Sequence, residues 1–391
     1  MSTLVRNIAE LFTASTDSAA MPPRATQHAF VFDAGVITWV GPESNAPECD
    51  EIIDAQGGAV LPGFVDSHAH LIFAGDRSAD FVGRMSGLEY TPRGIASTVA
   101  ATRAATDAEL RANAQRLISE MTDQGITTFE IKSGYGLTVA DEERALRIAR
   151  EFTPETTFLG AHVVPSEYSD NPDAYVDLVC TEMLDACAPH ARWIDVFCDQ
   201  GAFTPEQTSK ILEAGKSAGL KVRLHANQIK SLGAIDIAAK VGAVSVDHLT
   251  YMSDAELRLM AENNIVATLL PGVEFSTRSP YPDARRFFDA GVSVAIATDC
   301  NPGSSFITSM PLCIALAVRE MHMSVDQAVW SATAGGAAAL DRSDIGRIEP
   351  GFSADFLILD RPSIDYLAYH PGTNPVAKVF RAGQLIRSAH E

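Results

Sequence analysis

From residue 60 onward, short apolar runs alternate with amphipathic stretches, and few folds satisfy that alternation other than parallel strands joined by helical crossovers. Eight strands are expected, at about 60–66, 126–132, 156–162, 193–198, 220–226, 243–248, 265–270 and 292–299. Eight is the number that closes into a (β/α)8 TIM barrel of the α/β class, which takes roughly 250 residues. Capping chemistry marks where crossover helices should begin: Thr138 followed by Asp141, Thr204-Pro205-Glu206-Gln207, Ser253 followed by Glu256, and Ser324 followed by Gln327. Longer helical stretches are expected at about 97–124, ended by Gly125, and at about 324–340.

The flanks follow a different period. His28-Ala-Phe-Val-Phe-Asp-Ala-Gly-Val-Ile-Thr-Trp39 reads as two β runs about a turn, Val379-Phe-Arg-Ala-Gly-Gln-Leu-Ile386 repeats that plan, and Ala354-Asp-Phe-Leu-Ile-Leu359 adds a strand. Terminal pieces too small to hold separate cores are expected to pack together. The expectation is a β-sandwich satellite domain built from residues 1–59 and 346–391, beside a barrel over 60–345.

With 30 basic against 50 acidic side chains, the net charge of −20 disfavours nucleic acid and anionic membranes as partners. An anionic substrate would need local cations against that field, which draws attention to Arg77 and Lys132. The six cysteines have no Cys-x-x-Cys spacing and read as reduced thiols, most of them core filler. The N-terminus has no basic start followed by a long apolar stretch, and no run approaches about 18 apolar residues. A cytoplasmic enzyme is expected, with a homodimer as its assembly.

In a barrel of this kind, catalytic groups come from the carboxyl ends of different strands. Here those ends carry Asp66, His68 and His70 on strand one, Lys132 on strand two, His162 on three, His225 on five, Asp247-His248 on six and Asp299 on eight. His68 and His70 stand two apart on an extended segment and so project to one side. With His225 and Asp299 they form a set of three imidazoles and one carboxylate that suits Zn²⁺ or iron (Fe²⁺ or Fe³⁺). A cation there would lower the pKa of a water towards about 7. Asp299 could also accept that water's proton and return it to a leaving nitrogen. His248 reads either as a group that orients the water or polarises a carbonyl, or as a hydrogen-bonded structural histidine. Strand four, Trp193-Ile-Asp-Val-Phe-Cys-Asp-Gln200, has no lysine to bridge two metals, so one metal ion is expected.

The run Pro62-Gly-Phe-Val-Asp-Ser-His-Ala-His70, with His225, His248, Asp299 and the tail Gly346-Arg-Ile-Glu-Pro-Gly-Phe-Ser-Ala-Asp-Phe356, resembles the amidohydrolase superfamily. Narrower stretches resemble its imidazolonepropionase family: Phe73-Ala-Gly-Asp-Arg77, Glu130-Ile-Lys-Ser-Gly-Tyr-Gly-Leu137, Gly160-Ala-His-Val-Val-Pro165, Asp195-Val-Phe-Cys198 and Thr298-Asp-Cys-Asn-Pro-Gly-Ser-Ser305. The likeness runs from about residue 60 to the C-terminus. It implies hydrolysis of 4-imidazolone-5-propanoate to N-formimino-L-glutamate in histidine degradation. It also implies that His68, His70, His225 and Asp299 hold the metal, and that Arg77, Tyr135, His162, Gln228, Asn301, Gly303 and Ser304 hold substrate or product.

Chemistry agrees with much of this. A propanoate wants a bidentate guanidinium, which Arg77 offers. Tyr135, between two glycines, is expected on a flexible loop that brings its phenol over the substrate. His162 is expected to donate to the ring carbonyl, and the amides and side chains of 301–304 to point into the mouth, although those residues also read as an ordinary turn. One departure stands out. His225 is followed by Asn227 and Gln228 where some relatives carry an acid, and an amide cannot accept a proton, so the base role falls on Asp299 and His248. A different amidohydrolase, such as a deaminase, would keep the metal ligands but lack Arg77 and Ser133-Gly-Tyr-Gly136. A non-catalytic scaffold would have no reason to keep these polar groups.

Overall fold

The computed structural model describes residues 1–15, 24–88 and 94–388. Its centre is a curled parallel sheet of seven strands, in the spatial order Val294–Ile296, Val266–Leu269, Ser245–His248, Lys221–Ala226, Trp193–Cys198, Thr156–Ala161 and Ile131–Lys132. The remaining arc is the pair Phe64–Asp66 and Ile126–Phe129, also parallel. Backbone hydrogen bonds stitch the arcs together: Glu130 N to Asp66 O at 2.9 Å and Lys132 N to Ala69 O at 2.9 Å on one side, Asp299 N to His68 O at 3.0 Å and His70 N to Cys300 O at 2.9 Å on the other. The result is a TIM-like barrel with eight strand positions. The four capping residues expected from sequence, Thr138, Thr204, Ser253 and Ser324, each accept a hydrogen bond from the backbone of the residue three places on.

Three expectations change. The strand expected at 60–66 is two strands: Ala59–Pro62 pairs with Phe356–Leu359 in a terminal sheet, and only Phe64–Asp66 enters the barrel. Gly63 makes the crossing, and a Cβ there would lie 2.3 Å from Thr127 Oγ1, so no larger residue fits between the sheets. The strand expected at 126–132 breaks at Glu130, where its partner changes from Phe64–Asp66 to Thr156–Ala161. The helix expected at 97–124 is likewise two, Ile95–Ala104 and Asp107–Asp123, because Thr106 and Glu109 form a capping box inside the periodic run. The helical segment expected at 324–340 is continuous over 325–339, with a wider turn at Ser331–Gly335.

The termini build two further sheets. Thr3–Arg6, His28–Asp33, Val36–Pro42 and Glu51–Asp54 form one; Glu10–Leu11, Ala59–Pro62, Phe356–Leu359, Val376–Arg381 and Gln384–Ser388 form the other. Both hairpin turns expected from sequence are present, with positive φ at Ala34 and Gly35 and again at Ala382 and Gly383. The sheets share one apolar cluster, to which Val5, Phe30 and Phe32 contribute from the first and Leu11, Val60, Phe356 and Phe380 from the second. Phe356 stacks on Phe380 at 4.3 Å and meets the edge of Phe30 at 5.0 Å; burying each ring contributes roughly 1.5–3 kcal/mol. Among the described residues no helix is long and apolar enough to cross a membrane.

Candidate active site

At the carboxyl ends of the strands, His68, His70, His225, His248 and Asp299 converge, all buried. His68 Nε2 lies 3.2 Å from Asp299 Oδ1, His70 Nε2 lies 3.4 Å from the same oxygen, and the two imidazole nitrogens are 3.3 Å apart. Nitrogens that close need a proton or a cation between them. His225 Nε2 is buried without a hydrogen-bond partner, and its ring centre is 4.5 Å from that of His68. Burial, with His68 and Lys132, holds the His70 imidazole below its ordinary value; burial and Lys132 also oppose charge on His68, but there the carboxylates of Asp247 and Asp299 outweigh them and raise it to about 9. Burial drives His225 well below the ordinary histidine range. The pocket therefore favours positive charge at the point shared by His68, His70 and Asp299 while keeping a neutral ligand nitrogen at His225. That donor set fits a metal ion.

Backbone strain concentrates at the same rim. Asn227, His248, Leu249 and Asp299 have φ values between 48° and 78°, the left-handed region, which a residue other than glycine holds only where its surroundings enforce it. Asp66 supplies part of that enforcement by accepting Thr298 N at 3.1 Å and Thr298 Oγ1 at 2.6 Å, tying strand eight to strand one beside Asp299.

A carboxylate holds each of two of these rings from behind. Asp247 Oδ2 is 2.8 Å from His68 Nδ1, and Asp195 Oδ1 is 3.0 Å from His225 Nδ1. Each fixes its ring's tautomer and leaves Nε2 free for the shared point. Beneath them lies Lys132, fully buried and paired with Glu130 and Asp195. This corrects the expectation that Lys132 might serve an anionic substrate. Burial opposes its charge, yet Asp195 and Glu130 outweigh burial and hold its pKa above the ordinary lysine value.

A cavity of about 40 Å³ opens over the histidines, and every residue expected to touch substrate lines it: Arg77, Tyr135, His162, Gln228, Asn301, Gly303 and Ser304, together with His248. Their detailed roles differ from expectation in three places. The Tyr135 loop is pinned rather than loose, because the buried Glu142 carboxylate accepts Gly134 N at 3.0 Å, Gly136 N at 2.8 Å and Leu137 N at 2.8 Å. Gly136 allows this closeness: a Cβ there would lie 2.6 Å from Asp141 Cβ. His162 is turned the other way from a carbonyl donor. Its Nδ1 lies 3.0 Å from Gly134 O, which can only accept, and burial followed by His70 lowers its pKa to about 3; the remaining Nε2 is then an acceptor. The third is the turn at 301–304, where Asn301 Oδ1 takes the Gly303 and Ser304 amides at 2.8 and 3.3 Å, and Ser304 Oγ donates to Asp299 Oδ2 at 2.7 Å. Those amides are used within the turn.

Arg77 stands at the N-cap position of the helix Ser78–Met85 without a side-chain capping bond and pairs its Nε with Asp80, while NH1 reaches Thr98 Oγ1 at 3.2 Å. Gln228 is positioned by Asp199, whose carboxylate accepts the amides of Gln228, Ile229 and Lys230 at 2.8–3.0 Å. Asn227 donates to Glu256 at 3.0 Å and does not line the cavity. Sequence reasoning missed Phe197, whose ring lies 5.9 Å from His225 and 6.4 Å from His248. The available signal was its position two residues after Asp195 on one strand, which places both on the same face.

The family model described as the amidohydrolase family matches residues 59–386. An imidazolonepropionase of Salinispora tropica is 58% identical, covering 98% of each chain. The chain belongs to the imidazolonepropionase family. Imidazolonepropionases of Streptomyces coelicolor, 57% identical over 98% of each chain, and of Mycolicibacterium smegmatis, 54% identical over 99% of this chain and 98% of that one, agree. Among solved structures, guanine deaminase from C. acetobutylicum with bound guanine superposes with a TM-score of 0.74 at 16% identity, covering 99% of this chain and 100% of that one. Atrazine chlorohydrolase from Arthrobacter aurescens TC1 complexed with zinc gives 0.73 at 18%, covering 99% and 95%. At such identities the likeness concerns the fold. The enzyme is thus a hydrolase of amidohydrolase fold whose His and Asp clusters provide for a metal cofactor.

Proposed function

We propose that the enzyme hydrolyses the cyclic amide C–N bond of 4-imidazolone-5-propanoate to give N-formimino-L-glutamate in histidine degradation. The observation that carries this reading is the single cavity that joins the His68, His70, His225 and Asp299 cluster to Arg77, the one arginine in its wall among the described residues. One metal ion, Zn²⁺ or iron, held by those four ligands would make a water acidic enough to attack near neutral pH. Arg77 holds the propanoate through its NH groups, and His162 Nε2 accepts a ring N–H. His248, kept neutral by burial, with a pKa lowered to about 3, orients the attacking water. Asp299 carries the proton to the leaving ring nitrogen at Oδ2, the oxygen that Ser304 Oγ steadies. Gln228 binds the ring by hydrogen bonds and takes no proton.

The same reading treats residues 1–59 with 346–391 as one β-sandwich satellite domain, supported by the apolar cluster its two sheets share, with Ala59–Pro62 inside one sheet between Phe356–Leu359 and Glu10–Leu11. Six unpaired cysteines fit a cytoplasmic location. A homodimer without a nucleic-acid partner completes it, the latter in keeping with the charge of −20.

Loss of the imidazolone ultraviolet band, followed with freshly generated substrate against an enzyme-free blank, tests the function. Rapid loss with metal-loaded enzyme and none after chelation is expected. No loss above the blank from folded, metal-loaded protein would overturn the assignment.

A further inference from the structure

We propose that Lys132 is a positioning residue of the metal site: its ammonium pins the Asp195 and Asp247 carboxylates, and through them the His225 and His68 rings. The inference rests on the metal-dependent reading above.

Lys132 Nζ lies 2.8 Å from Asp195 Oδ2, 2.9 Å from Glu130 Oε1 and 3.6 Å from Asp247 Oδ2, and all four side chains are fully buried. An ammonium has donors and no acceptor; two of its hydrogens go to Glu130 and Asp195, and Asp247 completes the ring of carboxylates as an ion pair. Each aspartate bridges a cation and a histidine. Asp195 gives Oδ2 to Lys132 while Oδ1 takes His225 Nδ1 at 3.0 Å and His225 N at 3.2 Å. Asp247 Oδ2 takes His68 Nδ1 at 2.8 Å, and Arg223 NH2 braces both oxygens at 3.2 and 3.3 Å. Arg223 reaches Glu130 and Asp247; Lys132 reaches Asp195 as well, and so couples the two histidine arms.

Stability is a poor account of such a network, since replacing buried ion pairs with apolar residues is often neutral or stabilising. Its geometry has a better one. The network ends on the Nδ1 atoms of two metal ligands, and a ring whose Nδ1–H is held by a carboxylate can present only Nε2 to a cation. Glu130 and Lys132 reach the network together because, two residues apart along extended backbone, they project to the same side.

The test compares Lys132→Met, which keeps the unbranched stem and removes the ammonium, with the double variant Lys132→Met/Glu130→Gln, which removes one cation and one anion and so spares the charge balance. Apo-proteins are checked for native circular dichroism, then titrated with Zn²⁺ against a chelator and with Co²⁺ by visible absorption. Loss of a second-layer partner typically weakens metal binding about 10–100-fold, and that is the expected fall in Zn²⁺ affinity for both variants, with an altered Co²⁺ spectrum. A merely structural lysine would lower the apo-protein's melting temperature and leave the folded protein's Zn²⁺ affinity and Co²⁺ spectrum at wild-type values; that result in the folded double variant would overturn the proposal. Wild-type protein titrated alongside separates the two readings. If it binds no stoichiometric Zn²⁺, the metal reading itself fails; if it binds one and the variants match it, only the role of Lys132 fails.

Discussion

A guanidinium that has given its Nε edge to Asp80 and one NH to Thr98 keeps only part of its donor fan for a ligand. A charge-assisted hydrogen bond is worth about 1.5–3 kcal/mol, so Arg77→Ala should lower kcat/KM for the propanoate substrate about 10- to 150-fold. The same variant should lose little on an imidazolone whose side chain ends in a neutral amide. Comparing both substrates isolates the carboxylate contact, and equal losses on both would count against it. Glu274 carries a second residue-scale prediction. It is buried, accepts Thr250 Oγ1 at 2.9 Å, and burial raises its pKa to about 8 from 4.5. The folded state then binds more protons than the unfolded one between those values, so stability falls as pH rises through that window. Glu274→Gln should flatten the profile of unfolding free energy between pH 5 and 8, and a slope unchanged from wild type would refute it. Individual chemistry of this sort was partly legible from sequence. The convergence of His68, His70, His225 and Asp299 followed from residue type and strand-end position, and the structure brings the four together. The pairings of Lys132 with Asp195 and of Glu274 with Thr250 did not, because each is met only through space: Asp195 lies 63 residues along the chain from Lys132, and Thr250 lies 24 from Glu274.

At the scale of elements, the Gly134–Leu137 turn and the helix Val139–Ala149 behave as one unit, since Glu142 in the helix's first turn holds three turn amides. Glu142→Gln would set an NH2 group against those N–H donors. A loss of about 2–4 kcal/mol is expected, because buried donors are left without acceptors, together with faster hydrogen exchange at Gly134, Gly136 and Leu137 and lower activity through Tyr135. Unchanged exchange at those three amides would show that the turn holds itself. The strand Trp193–Cys198 matched its expected bounds because apolar runs flanked by turn residues report strands well. The breaks at Gly63 and Glu130 escaped because a strand that changes partners keeps its β composition throughout. The break at Thr106 was within reach: Thr106 and Glu109 form the same capping box found at Thr204 and Ser253, hidden by unbroken helical periodicity on both sides.

For the whole molecule, a metal ion held by the proposed ligands would act as a strut between strands far apart in sequence, one, five and eight, and that has a thermodynamic signature. His68, His70, His225 and Asp299 converge only in the folded chain, so a metal ion held by these proposed ligands would bind the native state in preference to the unfolded one and stabilise it by mass action, about 2.7 kcal/mol at a hundredfold excess over Kd. Specific unfolding entropies near 2.1 cal/mol/K per residue imply, for 391 residues, that this raises Tm by roughly 3 °C. Each further tenfold of free metal should add a little under 2 °C by the same relation. Chelation should therefore lower the melting temperature, and replenishment should restore it logarithmically with free Zn²⁺. His225→Ala, which removes the neutral ligand nitrogen while leaving His68, His70 and Asp299 in place, should shift that logarithmic dependence to much higher metal concentration. A general effect of divalent ions on a surface of charge −20 would instead appear equally in wild type and variant, would be matched by Mg²⁺, and would fade with added salt. Calorimetry across a Zn²⁺ series at two ionic strengths distinguishes the two. A wild-type Tm indifferent to chelation would mean that the buried histidines and Asp299 hold no metal.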